Sequence, residues 1–548
     1  MKYFADKVVY QIYPKSFYDS NNDGFGDLNG ICEKLDYLKE LGVDYLWLNP
    51  IFVSPQNDGG YDISNYYEID PLFGSMEDLE NLIQEAKKRD IYLMFDMVFN
   101  HTSTEHEWFQ KALLGDEKYK KYYFFKKAKK DGSLPTNWES KFGGSCWEYV
   151  KEFDEYYLHL FDKTQADLNW KNPDVRQELI KILNFWIKKG IKGFRFDVIN
   201  LIDKVSFEDD YDGVGKKFYT DGELVHKYLN ELNEQTFGND DVIITVGEMS
   251  STTIDNCIGY TKPQNNELNM TFNFHHLKVD YKNQEKWTIM PFDFLALKKL
   301  FNDWQIGMQK GDGWNALFWN CHDQPRSVSR FGNDKKYHDK SAKMLATAIH
   351  FQRGTPYIYQ GEEIGMTNAY FTNINQYQDV ESINYFNILK NQGNNEKNIY
   401  EILQNKSRDN ARTPMQWNSS GGFSNVKSWI EMNPLCKEIN VENNLKNENS
   451  IFKYYQQLIK LRKKYQVISL GDYYPLLEND TKVFAFIRKF NQENLIVFNN
   501  FYEDETIIDL TNYLDYEILL SNYNIESIDE KYILKPYESL VLYKNKQN

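Results

Sequence analysis

Eight short apolar runs recur along the chain: VVYQIYP (8–14), VDYLWLNPI (43–51), IYLMFDMVFN (91–100), GFRFDV (193–198), VIITVGEM (242–249), MTFNFHH (270–276), ALFWNCHD (316–323) and PYIYQGEEIG (356–365). They are rich in β-branched and aromatic residues, which predicts strands. Between them lie GICEKLDYLKELG (30–42), MEDLENLIQEAKKRD (76–90), DVRQELIKILNFWIKKG (174–190) and KSAKMLATAIHFQRG (340–354), whose apolar residues recur at helical spacing. Eight strands alternating with helices predict an α/β fold, a (β/α)8 TIM barrel with its functional groups at the C-terminal ends of the strands.

Two stretches break this rhythm. Residues 102–170, rich in Lys, Tyr, Trp and Gly, are too long for a simple loop and predict an inserted subdomain after the third strand. Beyond about residue 475 the pattern turns to short alternating runs, KVFAFIRKF (482–490), NLIVFNNF (494–501) and ESLVLYK (538–544), which predict a C-terminal antiparallel β domain. The expected organisation is a barrel over 1–101 and 171–475, an insertion over 102–170 and a β domain over 476–548.

Four of the runs carry a carboxylate: Asp96, Asp197, Glu248 and Asp323. One strand-end Asp is commonly a helix cap or a loop anchor. Four at the same end of successive strands form an active-site layout, because a buried carboxylate is costly unless it is paired or used.

Composition narrows the partners. A formal net charge of −16 argues against nucleic acid or an anionic membrane, although a local basic cluster could still bind a small anion. The 16% aromatic content supplies stacking faces for sugars, and an AT-rich coding bias would produce the same excess. Five sparse cysteines without metal spacing fit reduced thiols. The N-terminal MKYFADKVVYQIYP lacks a signal-peptide pattern, and no 18-residue apolar window occurs, so a cytoplasmic chain without a membrane span is expected.

DMVFNHTS, GFRFDVIN, VGEMS and NCHDQPR, in that order, with QIYPKSF near the start and RTPMQW at 412–417, resemble the α-amylase superfamily (glycoside hydrolase family 13) in its oligo-1,6-glucosidase-like branch. The resemblance covers essentially the whole chain. MSSTTIDNCIGYT (249–261), NFHHLKVDY (273–281) and EDDYDGVGKKFYTDG (208–222) look most like the members that hydrolyse trehalose 6-phosphate. A retaining exo-α-glucosidase acting on that phosphorylated disaccharide is the implied activity, with neutral isomalto-oligosaccharides or sucrose-like sugars as the alternative substrates.

Retention needs a nucleophilic carboxylate and an acid/base carboxyl about 5–5.5 Å apart. The resemblance assigns Asp197 as nucleophile, Glu248 as acid/base and Asp323 as the third, charge-stabilising carboxylate. Arg195, two residues before Asp197, should keep it ionised, whereas Glu248 must start protonated. His101 and His322 are implied as neutral donors to the sugar, Tyr61 as its stacking face, and Asp58 with Arg412 as the pair closing the pocket. Asp96 and Asn100 are expected to brace the site. Most relatives carry Asn before the motif histidine, and here Cys321 follows Asn320.

DSNNDGFGDL (19–28) spaces Asp19, Asn21, Asp23 and Asp27 as oxygen donors, with the Phe25 carbonyl available. The alternation is like the first half of a calcium loop without the bidentate Glu, and relatives hold a structural Ca²⁺ there. A self-bonded Asx turn and Mg²⁺ are the alternatives. For the phosphate, the candidates are Lys278, Lys282, Lys286, His275 and His276. No nucleotide fingerprint occurs, so phosphate is read as a substrate group and no organic cofactor is expected. A monomer or weak homo-oligomer is expected.

Overall fold

The computed structural model describes residues 2–545, so the last three residues of the expected β domain lie outside the described residues. Eight strands form one sheet: β1 (Val9–Ile12), β2 (Tyr45–Leu48), β3 (Tyr92–Met97), β4 (Gly193–Phe196), β5 (Ile244–Met249), β6 (Met270–Asn273), β7 (Ala316–Leu317) and β8 (Thr355–Tyr359). Their order is β6-β5-β4-β3-β2-β1-β8-β7, and the β3–β4, β4–β5, β5–β6, β1–β8 and β7–β8 pairs are parallel. Sequential parallel strands separated by helices make the predicted TIM barrel.

The strands are shorter than the apolar runs, for local reasons. β2 stops before Asn49-Pro50, where proline has no N–H to give a ladder. β8 ends at Tyr359 because Gly361 and Gly365, at φ 86° and 73°, turn the chain into the short 3₁₀ helix Glu362–Ile364. The helix predicted over 174–190 spans Pro173–Lys189, with Asn172 capping its start, proline in its first turn and Gly190 closing it at φ 106°. Its inner stripe is Val175, Leu179, Ile180, Ile182, Leu183 and Trp186, and burying each such side chain contributes about 1.5–3 kcal/mol. The helix predicted over 30–42 is two helices, Leu28–Glu33 and Leu35–Leu41, separated at Lys34 by a non-helical backbone (φ −100°, ψ 5°).

The chain divides into two compact units, Trp47–Lys87 with Tyr92–Phe274, and Met1–Leu46 with Lys88–Ile91 and His275–Asn548. The former, here the β3–β6 unit, includes a three-stranded antiparallel sheet of Phe125–Lys126, Glu155–Leu158 and Trp147–Val150. Trp138, Cys146, Trp147, Leu158 and Tyr219 form the core beneath it.

The latter, the β7–β8 unit, ends in an antiparallel sheet of β9 (Asp472–Leu476), β10 (Val483–Phe490), β11 (Glu493–Asn500), β12 (Glu517–Ser521) and β13 (Ser539–Asn545), in the order β9-β10-β11-β13-β12. Val483, Ala485, Ile496, Phe498, Leu540 and Leu542 fill its inner face. Arg488, fully buried, donates to the Phe351 and Gly471 carbonyls at 2.5 and 2.6 Å and fastens this sheet to the end of the helix before β8. Among the described residues no helix is long and apolar enough to cross a membrane.

Candidate active site

In the β3–β6 unit, Arg195 on β4 gathers three carboxylates. Its Nη1 donates to Asp96 Oδ1 at 2.5 Å and to Asp197 Oδ1 at 2.6 Å, and its Nη2 abuts Glu248 Oε2. Strand register explains the convergence. Arg195 lies opposite Asp96 on β3, and Phe196 lies opposite Gly247 on β5, so the next row holds Asp197 beside Glu248.

All four side chains are buried. Burial works against the Arg195 charge, but Asp96, Tyr61 and Asp197 together hold its pKa above the usual value. Asp96 is pushed above the ordinary carboxylate range chiefly by burial, with Arg195 opposing and Asp197 adding. A guanidinium that carries one carboxylate on each side is also a rigid spacer between them.

A second ring of polar groups fixes this cluster. Asp96 Oδ2 accepts from Tyr61 OH at 2.7 Å and from Trp47 Nε1 at 3.1 Å, and Asn49 donates to Tyr61 OH at 2.7 Å. Tyr61 is thus a brace on Asp96, whatever else its ring does. His101 Nε2 lies 3.1 Å from the Tyr61 carbonyl oxygen, and burial lowers its pKa, so the ring is neutral. Gln165 donates to Asp58 Oδ2 at 3.2 Å and to the same carbonyl at 3.1 Å. Asn100 donates to Asp167 at 3.1 Å and accepts from the buried Lys204 at 2.8 Å, while Lys204 pairs with Asp167 at 2.6 Å.

In the β7–β8 unit, Asp323 follows β7 and meets two arginines, Arg408 at 3.2 Å and Arg412 at 3.1 Å, with His322 Nε2 at 3.2 Å. Gln11 Nε2 lies 2.9 Å from His322 Nδ1, and Tyr13 stacks on the imidazole with ring centroids 6.2 Å apart. Arg408 also bonds Asp379 at 2.5 Å. Burial alone would raise Asp379, but Arg408 and Arg412 hold its carboxyl well below the usual range.

The phosphate candidates separate. Lys286 pairs with Glu381 at 2.6 Å; burial opposes its charge, but Glu381 raises its pKa and keeps it protonated. Arg408 stands 3.5 Å from the same Glu381. Lys278 and Lys282 are exposed on two short 3₁₀ turns, and His275 packs beside Trp304. His276 does not fit the expected cationic role. Its Nε2 lies 2.9 Å from the Phe318 carbonyl oxygen, and burial lowers its pKa to about 3, so the ring stays neutral.

The Asp19–Asp27 loop is held by its own N–H groups. Asp19 accepts from the N–H groups of Asn22 and Gly24 and from Ser424 Oγ, Asp23 from Phe25, and Asp27 from Ser20 and Gly30. Among the described residues no group of three or more His, Cys, Asp or Glu side chains converges as a metal cage. The donors, carboxylate and amide oxygens with lone pairs to spare, still suit a hard cation such as Ca²⁺.

The family description "Alpha amylase, catalytic domain" matches residues 11–471, and "Alpha-amylase SusG C-terminal domain" matches 483–541. The chain belongs to the α-amylase family. It is 54% identical to the trehalose-6-phosphate hydrolase of Bacillus subtilis (strain 168), covering 97% of each chain. It is 46% identical to the oligo-1,6-glucosidase of Bacillus cereus, covering 98% of this chain and 99% of that one. The crystal structure of Bacillus licheniformis trehalose-6-phosphate hydrolase (TreA) superposes with a TM-score of 0.96 at 53% identity, covering 100% of both chains.

Several residues of this α-amylase-family site escaped the sequence reading. Arg408 stands four residues before Arg412 in RDNAR, a spacing that puts both on one helical face and could have flagged it. Lys204, a lone Lys in VINLIDK, was visible as an oddity without a visible partner. Asp379 and Glu381 carry no local signature, because what defines them is contact with distant chain.

Proposed function

We propose that this protein is a retaining exo-acting α-glucosidase that splits α,α-trehalose 6-phosphate into glucose and glucose 6-phosphate. The observation that carries the chemistry is the single guanidinium of Arg195 touching both Asp197 and Glu248. Retention follows from membership of the α-amylase family, whose double displacement needs two carboxyls at one anomeric centre about 5–5.5 Å apart. The substrate is supported by the near full-length similarity to trehalose-6-phosphate hydrolases.

In this mechanism Asp197 attacks the anomeric carbon while Glu248 protonates the departing oxygen of glucose 6-phosphate. The reaction requires the proton on Glu248 at the start, because the departing sugar oxygen takes it in the first step. Glu248 then removes a proton from water, which releases glucose from Asp197. Asp323, oriented by Arg408 and Arg412, is assigned to the oxocarbenium-like charge and the sugar hydroxyls. Asp58 and Arg412 are assigned to closing the pocket, and Tyr61, His322 and the neutral His101 to the non-reducing glucose.

Lys286, with Lys278, Lys282 and His275, is assigned to the phosphate. Trehalose 6-phosphate, trehalose and isomaltose should be compared side by side; equal or better use of isomaltose would move the assignment to an oligo-1,6-glucosidase. Lys286→Ala is expected to lower kcat/KM on trehalose 6-phosphate by about ten- to a hundredfold, the value of one charge-assisted hydrogen bond, and to leave 4-nitrophenyl α-glucoside nearly untouched. Matching losses on both substrates would place the phosphate contact elsewhere.

A structural Ca²⁺ is assigned to Asp19, Asn21, Asp23, the Phe25 carbonyl and Asp27, where it would stiffen the loop and take no part in bond cleavage. Adding Ca²⁺ to chelator-treated protein is then expected to raise Tm by about 2 °C or more. An unchanged Tm would mean that the Asx turns alone hold the loop. The setting is taken as cytosolic, in line with five sparse cysteines without metal spacing, and the protein as a monomer or weak homo-oligomer.

A further inference from the structure

The two carboxylates at the centre of the site stand at the ends of β4 and β5, and the loops that leave those ends are tied to each other by one side chain. After Asp197 the chain reverses through Val198, which adopts a left-handed conformation (φ 35°, ψ 40°) unusual for a β-branched residue, into the short 3₁₀ turn Ile199–Leu201. That reversal brings Asn200, fully buried, against the segment that follows Glu248.

Asn200 Oδ1 accepts from the Ser250 N–H at 3.1 Å, and its Nδ2 donates to the Ser251 carbonyl at 2.9 Å. The second Nδ2 proton goes to Asp221 Oδ1 at 3.1 Å, and the Asn200 carbonyl accepts from the Asp221 N–H at 2.9 Å. Asp221 is itself anchored from the far side by Asn256 at 2.8 Å and Tyr260 OH at 2.8 Å. The turn after Asp197 also packs closely against β5 itself. A Cβ on Gly247, the residue before Glu248, would lie 3.1 Å from Ile199 Cγ2 and 2.6 Å from Leu268 Cδ1.

We propose that Asn200 is a positioning residue that sets where Glu248 stands relative to Asp197. The inference rests on the glucosidase reading above and adds to it a residue that touches neither substrate nor reacting atoms. Only an amide of this length supplies two donors and an acceptor to three fixed backbone and carboxylate groups at once. Aspartate has no proton to give and would face Asp221 with like charge; alanine takes this partner from the half-buried Ser250 N–H and Ser251 carbonyl and leaves Asp221 Oδ1 with Tyr260 OH. Because both contacted residues, Ser250 and Ser251, lie within three positions of Glu248, their release shifts the acid/base group more than the nucleophile, which keeps its bond from Arg195 Nη1.

A misplaced acid has a specific kinetic signature. A sugar leaving group needs a proton from Glu248, whereas 4-nitrophenolate departs without one. The test measures kcat/KM, which reports the first chemical step, on the disaccharide that the wild type uses best and on 4-nitrophenyl α-glucoside. Asn200→Ala and Asn200→Asp are expected to lose about a hundredfold on the disaccharide, the scale of a displacement of about 1 Å, and less than about fivefold on the aryl glucoside. Equal losses on both substrates, or none on either, overturn the proposal.

Thermal melting is run alongside. If both Asn200 variants fail to fold, Asn256→Ala, which loosens Asp221 from its far side, is expected to lower disaccharide kcat/KM by about two- to tenfold with the aryl glucoside unchanged. Absence of that selective loss then overturns the proposal. A wild type that releases glucose from isomaltose and ignores trehalose 6-phosphate would instead overturn the substrate assignment and leave the Asn200 test intact.

Discussion

Asp197→Ala is expected to abolish turnover, lowering kcat by about 10⁴- to 10⁶-fold on every glucoside tested, activated or not. The first covalent bond of a double displacement forms at this carboxylate, so a better leaving group cannot compensate for its loss. The fold should survive. Arg195 keeps Asp96 and Glu248 as partners, and the side chain removed sits at the end of a strand rather than inside the ladder. Tm should therefore move by only a few degrees, while kcat for both trehalose 6-phosphate and 4-nitrophenyl α-glucoside falls to the detection limit. A folded variant with a rate near that of the wild type would remove Asp197 from the mechanism and, with it, the case for a glycosyl-enzyme intermediate.

The barrel was readable because its signals are local. Each strand is a compact apolar run with its own boundary residues, and helices such as Pro173–Lys189 carry a cap, an inner stripe and a terminal glycine within one window of sequence. What the sequence could not give was strand length. The run PYIYQGEEIG reads as continuous strand to residue 365, yet the ladder stops at Tyr359, because the two glycines that turn the chain are indistinguishable by composition from strand residues near a bulge.

The site divides the same way. Arg195 and Asp197 could be paired from their two-residue spacing, which the 2.6 Å contact bears out. Phosphate candidates could not be ranked, since a lysine's role depends on the carboxylate opposite it. Lys286 faces Glu381, 95 residues along the chain, and His276 is neutralised by a pocket of Phe301, Phe318 and Trp319 that no local pattern announces. Asn200 is the sharpest case. An asparagine after GFRFDVI looks like an ordinary turn residue, and only the fold brings it to Ser250, Ser251 and Asp221.

Glu248→Gln should separate the two halves of the reaction. The amide keeps the shape of the carboxyl but can neither deliver a proton to the leaving sugar nor accept one from water. On trehalose 6-phosphate, kcat/KM is expected to fall by about 10²- to 10⁴-fold, the range that general acid catalysis supplies. On 4-nitrophenyl α-glucoside the first step should be nearly unimpaired, so a burst of nitrophenolate equal to the enzyme concentration would precede a slow steady state limited by water attack. Azide, a nucleophile that needs no base, should then raise the steady-state rate and yield glucosyl azide of α configuration, because it enters from the face that water uses. Azide product of β configuration, or a variant that loses both substrates equally with no burst, would contradict Glu248 as acid/base. The comparison also calibrates Asn200. If that residue acts by placing Glu248, its variants must show the same preference for the aryl substrate at smaller amplitude, and combining Asn200→Ala with Glu248→Gln must cost little more than Glu248→Gln alone, since a group that has no proton to deliver gains nothing from being well placed.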